Sequence, residues 1–151
     1  AAITLSAILV EFVLKFAAYK VEMGGFAVYD AEKWDEFEKL DFSDAIGRAN
    51  RNQLLTKENR KLLHEFREHY RNPYNHYNIK KITELVVAKG VTRVHLQTLE
   101  VEQLDIEAKD NPVIQAQAKP LVDAAAVMSV FEFADSVVKA LFAKLGYPTT
   151  E

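Results

Sequence analysis

Cysteine is absent from the 151 residues of the sequence, which excludes a disulfide framework, thiolate zinc sites and cysteine nucleophiles. An excess of positive charge is also absent, because 19 Lys and Arg residues stand against 22 Asp and Glu residues and give a formal net charge of −3. Such a protein does not coat nucleic acid as a polycation, so any contact with RNA requires a local basic patch. The lack of cysteine agrees with a reducing compartment, and we predict a cytoplasmic location.

A chain of this length, about half of it apolar, is large enough for one domain with a full core, and we predict a single domain over residues 1–151. Residues 1–18 are very apolar, but Glu11 and Lys15 interrupt them and no basic region precedes them. This pattern predicts a buried helix and not a membrane segment. Glu11 and Lys15 are spaced to form an ion pair, and the alternative is a carboxylate close to Arg71 in the folded bundle.

Apolar periodicity and capping signals predict most of the helices. The first is ended by Gly24-Gly25, the next two are capped by Asp30 and Ser43, the fourth has a capped start at Thr56, and a later one ends at Gly90. The predicted ranges are 3–23, 31–40, 44–53, 56–72 and 79–88.

The segment 91–108 is rich in β-branched and apolar residues that partly alternate, which favours a short hairpin; a helix over 95–107 is the competing interpretation. Asp110 or Asn111 before Pro112 predicts another helix start, with a kink or restart at Pro120 and a strongly helical pattern over 121–145. We therefore predict a mostly all-α fold, an up-and-down bundle of about five helices. Its last helix is expected to pack on the first.

The helix predicted over 56–72 carries two stripes. Its core face is formed by apolar and aromatic residues, Leu62, Leu63, Phe66 and Tyr70. A second, basic stripe follows from spacings of four, three and four residues, and consists of Arg60, His64, Arg67 and Arg71. The basic stripe is either a solvated face or a set of RNA phosphate contacts.

The basic stripe ends at a short run in which Arg71 and Asn72 are followed, after three residues, by His76. Pro73 disfavours helix at Asn72, so the helix is expected to kink or stop there. Tyr74 and Tyr77 flank the run and are candidates for stacking on bases, with interior packing as the alternative. Arg71 and His76 have an alternative too, which is hydrogen bonding to backbone carbonyls around the proline.

The run resembles the motif of the HEPN superfamily, in which Arg, a polar residue (usually Asn), a few further residues and His lie at the end of a helix in a small helical protein. Many members are metal-independent ribonucleases. The resemblance implies that Arg71, Asn72 and His76 are catalytic and that no cofactor is needed. It also implies an RNA substrate, a homodimer with its site in a shared cleft, and an antitoxin or neighbouring defence protein as a further partner.

The chemistry of these residue types fits RNA cleavage by 2′-hydroxyl attack, which requires proton transfer and positive charge on the phosphorane-like transition state. An imidazole can accept or donate a proton near neutral pH, and an arginine holds phosphate without losing its charge. A lone His76 supplies one proton-transfer group, so a twofold dimer is expected to supply the second.

The leading hypothesis is thus a dimeric endoribonuclease of the toxin or phage-defence type. The alternatives are a non-catalytic HEPN-like module that binds RNA, nucleotide or a protein partner, and an unrelated helical interaction protein. The spacing of His64, His69 and His76 does not suit a metal site, and we expect none.

Overall fold

The computed structural model describes residues 1–25 and 28–147. It is 68% helix and 10% strand, which confirms the mostly α class. The helices, numbered in chain order, are α1 Ala2–Glu22, α2 Ala31–Glu38, α3 Phe42–Arg51, α4 Lys57–Phe66, α5 Asn72–Asn75, α6 Ile79–Ile82 and α7 Pro112–Lys144. A π-helical segment, Arg67–Arg71, joins α4 to α5, and a 3-10 turn, Ala108–Asp110, precedes α7.

Helix α1 is the element against which the bundle is packed. It contacts α2, α3, the π-helical segment and α7, so the expected packing of the last helix on the first is confirmed. Its length and composition would allow it to cross a membrane, but half of its most apolar stretch is buried inside the protein. The buried side chains of α1 include Val10, Leu14 and Tyr19, and they make this helix the centre of the core.

Capping side chains fix several helix starts. Asp30 accepts a hydrogen bond from the backbone N–H of Lys33, and Thr56 accepts one from that of Asn59, as the capping signals predict. The prediction that Ser43 caps α3 is wrong. Asp41 accepts from the N–H of Asp44 instead, and α3 begins two residues earlier than expected. The earlier start buries Phe42 in the core.

The predicted hairpin is present and the competing helix over 95–107 is not. Strands β1 Val87–Val94 and β2 Val101–Glu107 pair antiparallel. The predicted helix over 79–88 is wrong after Ile82, because the chain turns at Thr83 and enters β1. Gly90 does not end a helix; it lies in β1 at φ +62°, at a register irregularity, and its N–H donates to Asp105.

Helix α7 runs unbroken from Pro112 to Lys144, with Pro120 inside it. The expected start is confirmed, since the Asn111 side chain accepts from the N–H groups of Val113 and Ile114. The expected restart at Pro120 is wrong. Packing against α1 and α6 keeps the segments on both sides of the proline in one helix, although Pro120 has no N–H to donate.

Candidate active site

Arg71 lies partly buried between the π-helical segment and α1. Its Nε and Nη2 atoms donate to the same Glu11 oxygen, at 3.2 and 3.1 Å, and its Nη1 atom donates to the side-chain oxygen of Asn72 at 3.3 Å. The Arg71 side chain is 22% exposed. A guanidinium has five N–H groups, so these contacts leave one N–H on each terminal nitrogen. Guanidinium N–H groups that remain in this way are able to donate to a phosphate.

Both interpretations of Glu11 are correct at once. One carboxylate oxygen accepts from Arg71, and the other lies 2.9 Å from the Lys15 ammonium. Because a single carboxylate lies between two cations, Glu11, Lys15 and Arg71 together carry one net positive charge. The group therefore keeps an attraction for an anion.

The π-helical segment explains how Arg71 reaches α1. The N–H of Asn72 donates to the carbonyl of Arg67, an i→i+5 hydrogen bond that makes a wider turn than an α-helix. Pro73 cannot donate to the carbonyl four residues earlier, and its ring would clash there in an ordinary α-helix. The wider turn removes that conflict. The expected stop at Pro73 is therefore wrong, since the helix widens before the proline and continues to Asn75.

The segments α4, Arg67–Arg71 and α5 follow one another as a continuous helical stretch. His76 lies at its C-terminal end, and its side chain is exposed. The helix is closed by two hydrogen bonds, from the N–H of Tyr77 to Tyr74 and from the N–H of Asn78 to Pro73. This Schellman closure normally has glycine in the left-handed position, but here that residue is Tyr77, at φ +48°. His76 follows Arg71 by five residues, roughly 7 Å along a helix axis.

Three of the four residues of the predicted basic stripe lie near one another, and Arg71 is separate from them. Burial lowers the pKa of His64, and the charges of Arg67 and Arg60 lower it further, so these three side chains lie near one another. Arg67 is already paired with Glu68 and Arg60 is exposed. Arg71 does not continue the stripe outwards, because it is turned onto Glu11.

A second group of side chains lies on the other side of the motif. The Tyr74 hydroxyl donates to one oxygen of Asp123 at 2.7 Å, and the Lys119 ammonium donates to the other at 2.5 Å. Burial and then the Asp123 contact raise the pKa of Tyr74. Burial opposes ionisation of Asp123, but the bonds from Lys119 and Tyr74 outweigh it and lower the pKa of that carboxyl. Tyr74 thus helps to hold the Asp123 carboxylate in place. Of the two tyrosines that flank the run, Tyr77 is the exposed one.

Lys119 and Asp123 are not among the site residues predicted from the sequence. The only available signal is their i,i+4 spacing on α7, which is common to ordinary surface ion pairs. Their proximity to the motif depends on the packing of α7, about fifty residues further along the chain.

An exposed apolar surface lies beside Glu11, the partner of Arg71. We call it the α1–α7 apolar face; it consists of Leu5, Ile8, Leu9, Phe12 and Phe131, each between 46% and 65% exposed. Ile8 and Phe12 lie beside Glu11 and Lys15 in one shallow pocket, so the face adjoins the carboxylate that holds Arg71. An exposed apolar patch of this kind is typical of a surface that another molecule covers.

Within residues 1–25 and 28–147, no group of three or more His, Asp or Glu side chains is arranged to hold a metal ion. No protein-family model, curated protein or solved structure matches the chain.

Proposed function

We propose that the protein is a metal-independent endoribonuclease of the HEPN type, with a toxin or phage-defence role, acting as a homodimer. The observation that carries this proposal is the orientation of Arg71 by Glu11 and Asn72, with its two outer N–H groups left over. A preorganised cation of this kind lowers the barrier for a reaction that develops negative charge on phosphate. The up-and-down order of the helices and the cytoplasmic location belong to the same proposal.

In the proposed reaction, the 2′-hydroxyl of a ribose attacks the adjacent phosphorus and the 5′-oxygen leaves. Arg71 binds the non-bridging oxygens through its two terminal N–H groups. One His76 accepts the proton of the 2′-hydroxyl, and the His76 of the second subunit donates a proton to the leaving oxygen. Asn72 is a positioning residue, because its side-chain oxygen holds Arg71 in place.

The α1–α7 apolar face supports the dimeric arrangement. Leu5, Leu9 and Phe12 recur at spacings of four and three residues, which is the pattern of one helix packing against another. Since this face adjoins the Glu11–Arg71 pair, a twofold axis through it would bring two copies of the motif to one cleft. An antitoxin or neighbouring defence protein would contact the same enzyme from outside this interface.

Cleavage of labelled single-stranded RNA in EDTA tests the proposal. We expect cleavage to persist in EDTA and to fall by roughly 100-fold or more in both His76→Ala and Arg71→Ala. His95→Ala is the matched control, since His95 is exposed on the hairpin. Cleavage that requires a divalent metal, or that survives both substitutions, would refute the proposal.

A second candidate function is a non-catalytic HEPN-like module that binds RNA. The observation in its favour is that three of the five Arg71 N–H groups are already engaged, which suits a structural arginine. The same assay separates the two functions, because the second predicts RNA binding and no cleavage by the unmodified protein.

A further inference from the structure

A cleft of about 430 Å³ opens beside the end of α5, between α1 and α7. Its apolar lining comes from small residues, Ala1, Ala2, Ala124 and Val127, with Ile3. The remaining wall is polar and aromatic, and consists of Thr4, Tyr74, Tyr77, Lys119 and Asp123. The volume and the mixture of a flat apolar wall with a few polar groups suit a planar, hydrogen-bonding ring.

Tyr77 provides the flat wall. Its side chain is 70% exposed, and the Lys119 ammonium lies over its ring, 5.6 Å from the centroid. The backbone of Tyr77 is left-handed, where a side chain other than that of Gly or Asn is disfavoured. A strained and exposed tyrosine adds little to the core, whereas an exposed ring beside a cation is a stacking surface for a base.

Asp123 provides the hydrogen-bonding group. Each of its oxygens already accepts one hydrogen bond, from Tyr74 and from Lys119, and each has a second lone pair. The carboxylate is therefore held by two donors and has the capacity to accept two more. Among the four RNA bases, guanine has two neighbouring donors on one edge, the N1–H and the 2-amino group.

We propose that this cleft binds a guanine base of single-stranded RNA, with the base stacked on Tyr77 and its N1–H and 2-amino groups donating to Asp123. Tyr77 directly follows His76, at a Cα separation of about 3.8 Å. The bound base therefore belongs to a nucleotide next to the phosphate that Arg71 and His76 act on. The inference rests on the proposed function for that last step and names the base preference of the same site.

The test measures binding apart from cleavage. Three fluorescein-labelled hexamers are compared: 5′-UUGUUU, 5′-UUAUUU, and 5′-UUIUUU, in which inosine replaces the guanine of the first. Each is titrated with the His76→Ala protein, and binding is followed by fluorescence anisotropy. We expect the guanine hexamer to bind about tenfold more tightly than either of the others, because inosine lacks the 2-amino group and a hydrogen bond to a charged acceptor is lost.

Three further variants in the His76→Ala background assign the contacts. Tyr77→Leu is expected to weaken binding of the guanine hexamer by about 5- to 100-fold, and Tyr77→Phe is expected to retain it. Tyr29→Leu is the matched control, since Tyr29 is also 70% exposed and does not line the cleft. Circular-dichroism melting of each variant confirms that it is folded.

Equal affinity for the three hexamers, or a Tyr77→Leu variant that binds the guanine hexamer normally, would overturn the inference. These results differ from a failure of the proposed function. Cleavage in EDTA without base preference leaves the nuclease intact and removes the guanine cleft. Guanine-dependent binding by a protein that cleaves nothing keeps the cleft and removes the nuclease.

Discussion

Two arginine–glutamate pairs join α1 to other parts of the bundle, and they differ in construction. Arg48 makes two parallel hydrogen bonds to the two oxygens of Glu22, at 2.5 and 2.6 Å, and its guanidinium stacks over Phe37. Asn52 donates to the same carboxylate. Arg71 makes two longer bonds to a single oxygen of Glu11, and the other oxygen serves Lys15.

The difference distinguishes a structural pair from a candidate site that uses the same residue types. The carboxylate of Glu22 is saturated by its neighbours, and the hydrogen bond from Arg48, which outweighs burial, lowers the pKa of Glu22 to about 2. The Arg71 group keeps a net positive charge, precedes the exposed His76 by five residues and adjoins the α1–α7 apolar face. Pairing alone therefore does not identify a structural arginine; the geometry of the pair and its surroundings do.

The largest expected effect concerns the α1–α7 apolar face, which borders the Arg71 pair. Leu5→Glu places a charge in the proposed dimer interface, where an unpaired charge is strongly disfavoured. We expect the protein to become a monomer by analytical ultracentrifugation and its RNA cleavage to fall by roughly 100-fold, since each monomer has one His76 and loses the second proton-transfer group.

Leu85→Glu is the control, because Leu85 is 90% exposed and lies outside this face; it is expected to change neither property. A monomeric Leu5→Glu protein that cleaves RNA at the normal rate would show that one copy of the motif is sufficient. The role of the second His76 would then have to be abandoned.

We expect Arg48 to contribute more than Arg71 to the free energy of unfolding, although only Arg71 belongs to the candidate site. Arg48→Ala removes two charge-assisted hydrogen bonds and a cation–π contact, and should lower the free energy of unfolding by about 2 kcal/mol. Arg71→Ala should lower it by about 1 kcal/mol or less, because Glu11 keeps its partner Lys15. Urea denaturation at pH 7 measures both. A larger loss for Arg71→Ala than for Arg48→Ala would mark Arg71 as the structural arginine.

The pH dependence of the free energy of unfolding tests the structural role of the Arg48–Glu22 pair directly. The pKa of Glu22 falls from 4.5 to about 2 on folding, so the folded state is stabilised above pH 4.5 and loses that contribution as the pH falls towards 2. The contribution is on the order of 2 kcal/mol after allowance for solvent screening. Urea denaturation between about pH 2 and 6 should show a shallower acid loss for Arg48→Ala than for the unmodified protein. Equal slopes would contradict the assignment to Glu22.

The sequence predicts most of the features that depend on neighbouring residues, with the cap of α3 as an exception. The caps at Asp30, Thr56 and Asn111 are local hydrogen bonds with recognisable signatures, and all three are confirmed. The helix predicted over 79–88 is wrong after Ile82, because a short apolar run suits a helix or a strand equally and only pairing with β2 decides between them. The hairpin itself was recognised from its alternation and its β-branched residues.

In the candidate site, too, the features set by local sequence were predictable and those set by tertiary packing were not. The Arg71–His76 run was visible as a motif, and the contact between Glu11 and Arg71 was available as one of two alternatives. The π-helical turn was not predictable, because proline disfavours an ordinary helix without specifying whether the chain stops, bends or widens. Asp123 and Lys119 were missed because tertiary packing of α7 alone brings them to Tyr74.

The smallest expected effect tests the reason for the π-helical turn. Pro73→Ala restores an N–H that can donate to the carbonyl of His69, so an ordinary α-helix becomes available through this segment. We expect the turn to tighten and Arg71 to move off Glu11. RNA cleavage should then fall by roughly tenfold while the free energy of unfolding changes by less than about 1 kcal/mol.

Hydrogen exchange at the backbone amide that the Pro73→Ala substitution introduces, and the NMR shifts of the Arg71 side chain, report the change directly. Pro120→Ala is the matched control, since Pro120 lies within α7 and has no π-helical turn before it; cleavage should be unaffected. If Pro73→Ala leaves Arg71 on Glu11, the wider turn is maintained by the packing of the π-helical segment against α1 and not by the proline. The difference between the two arginine pairs would then originate in α1 itself.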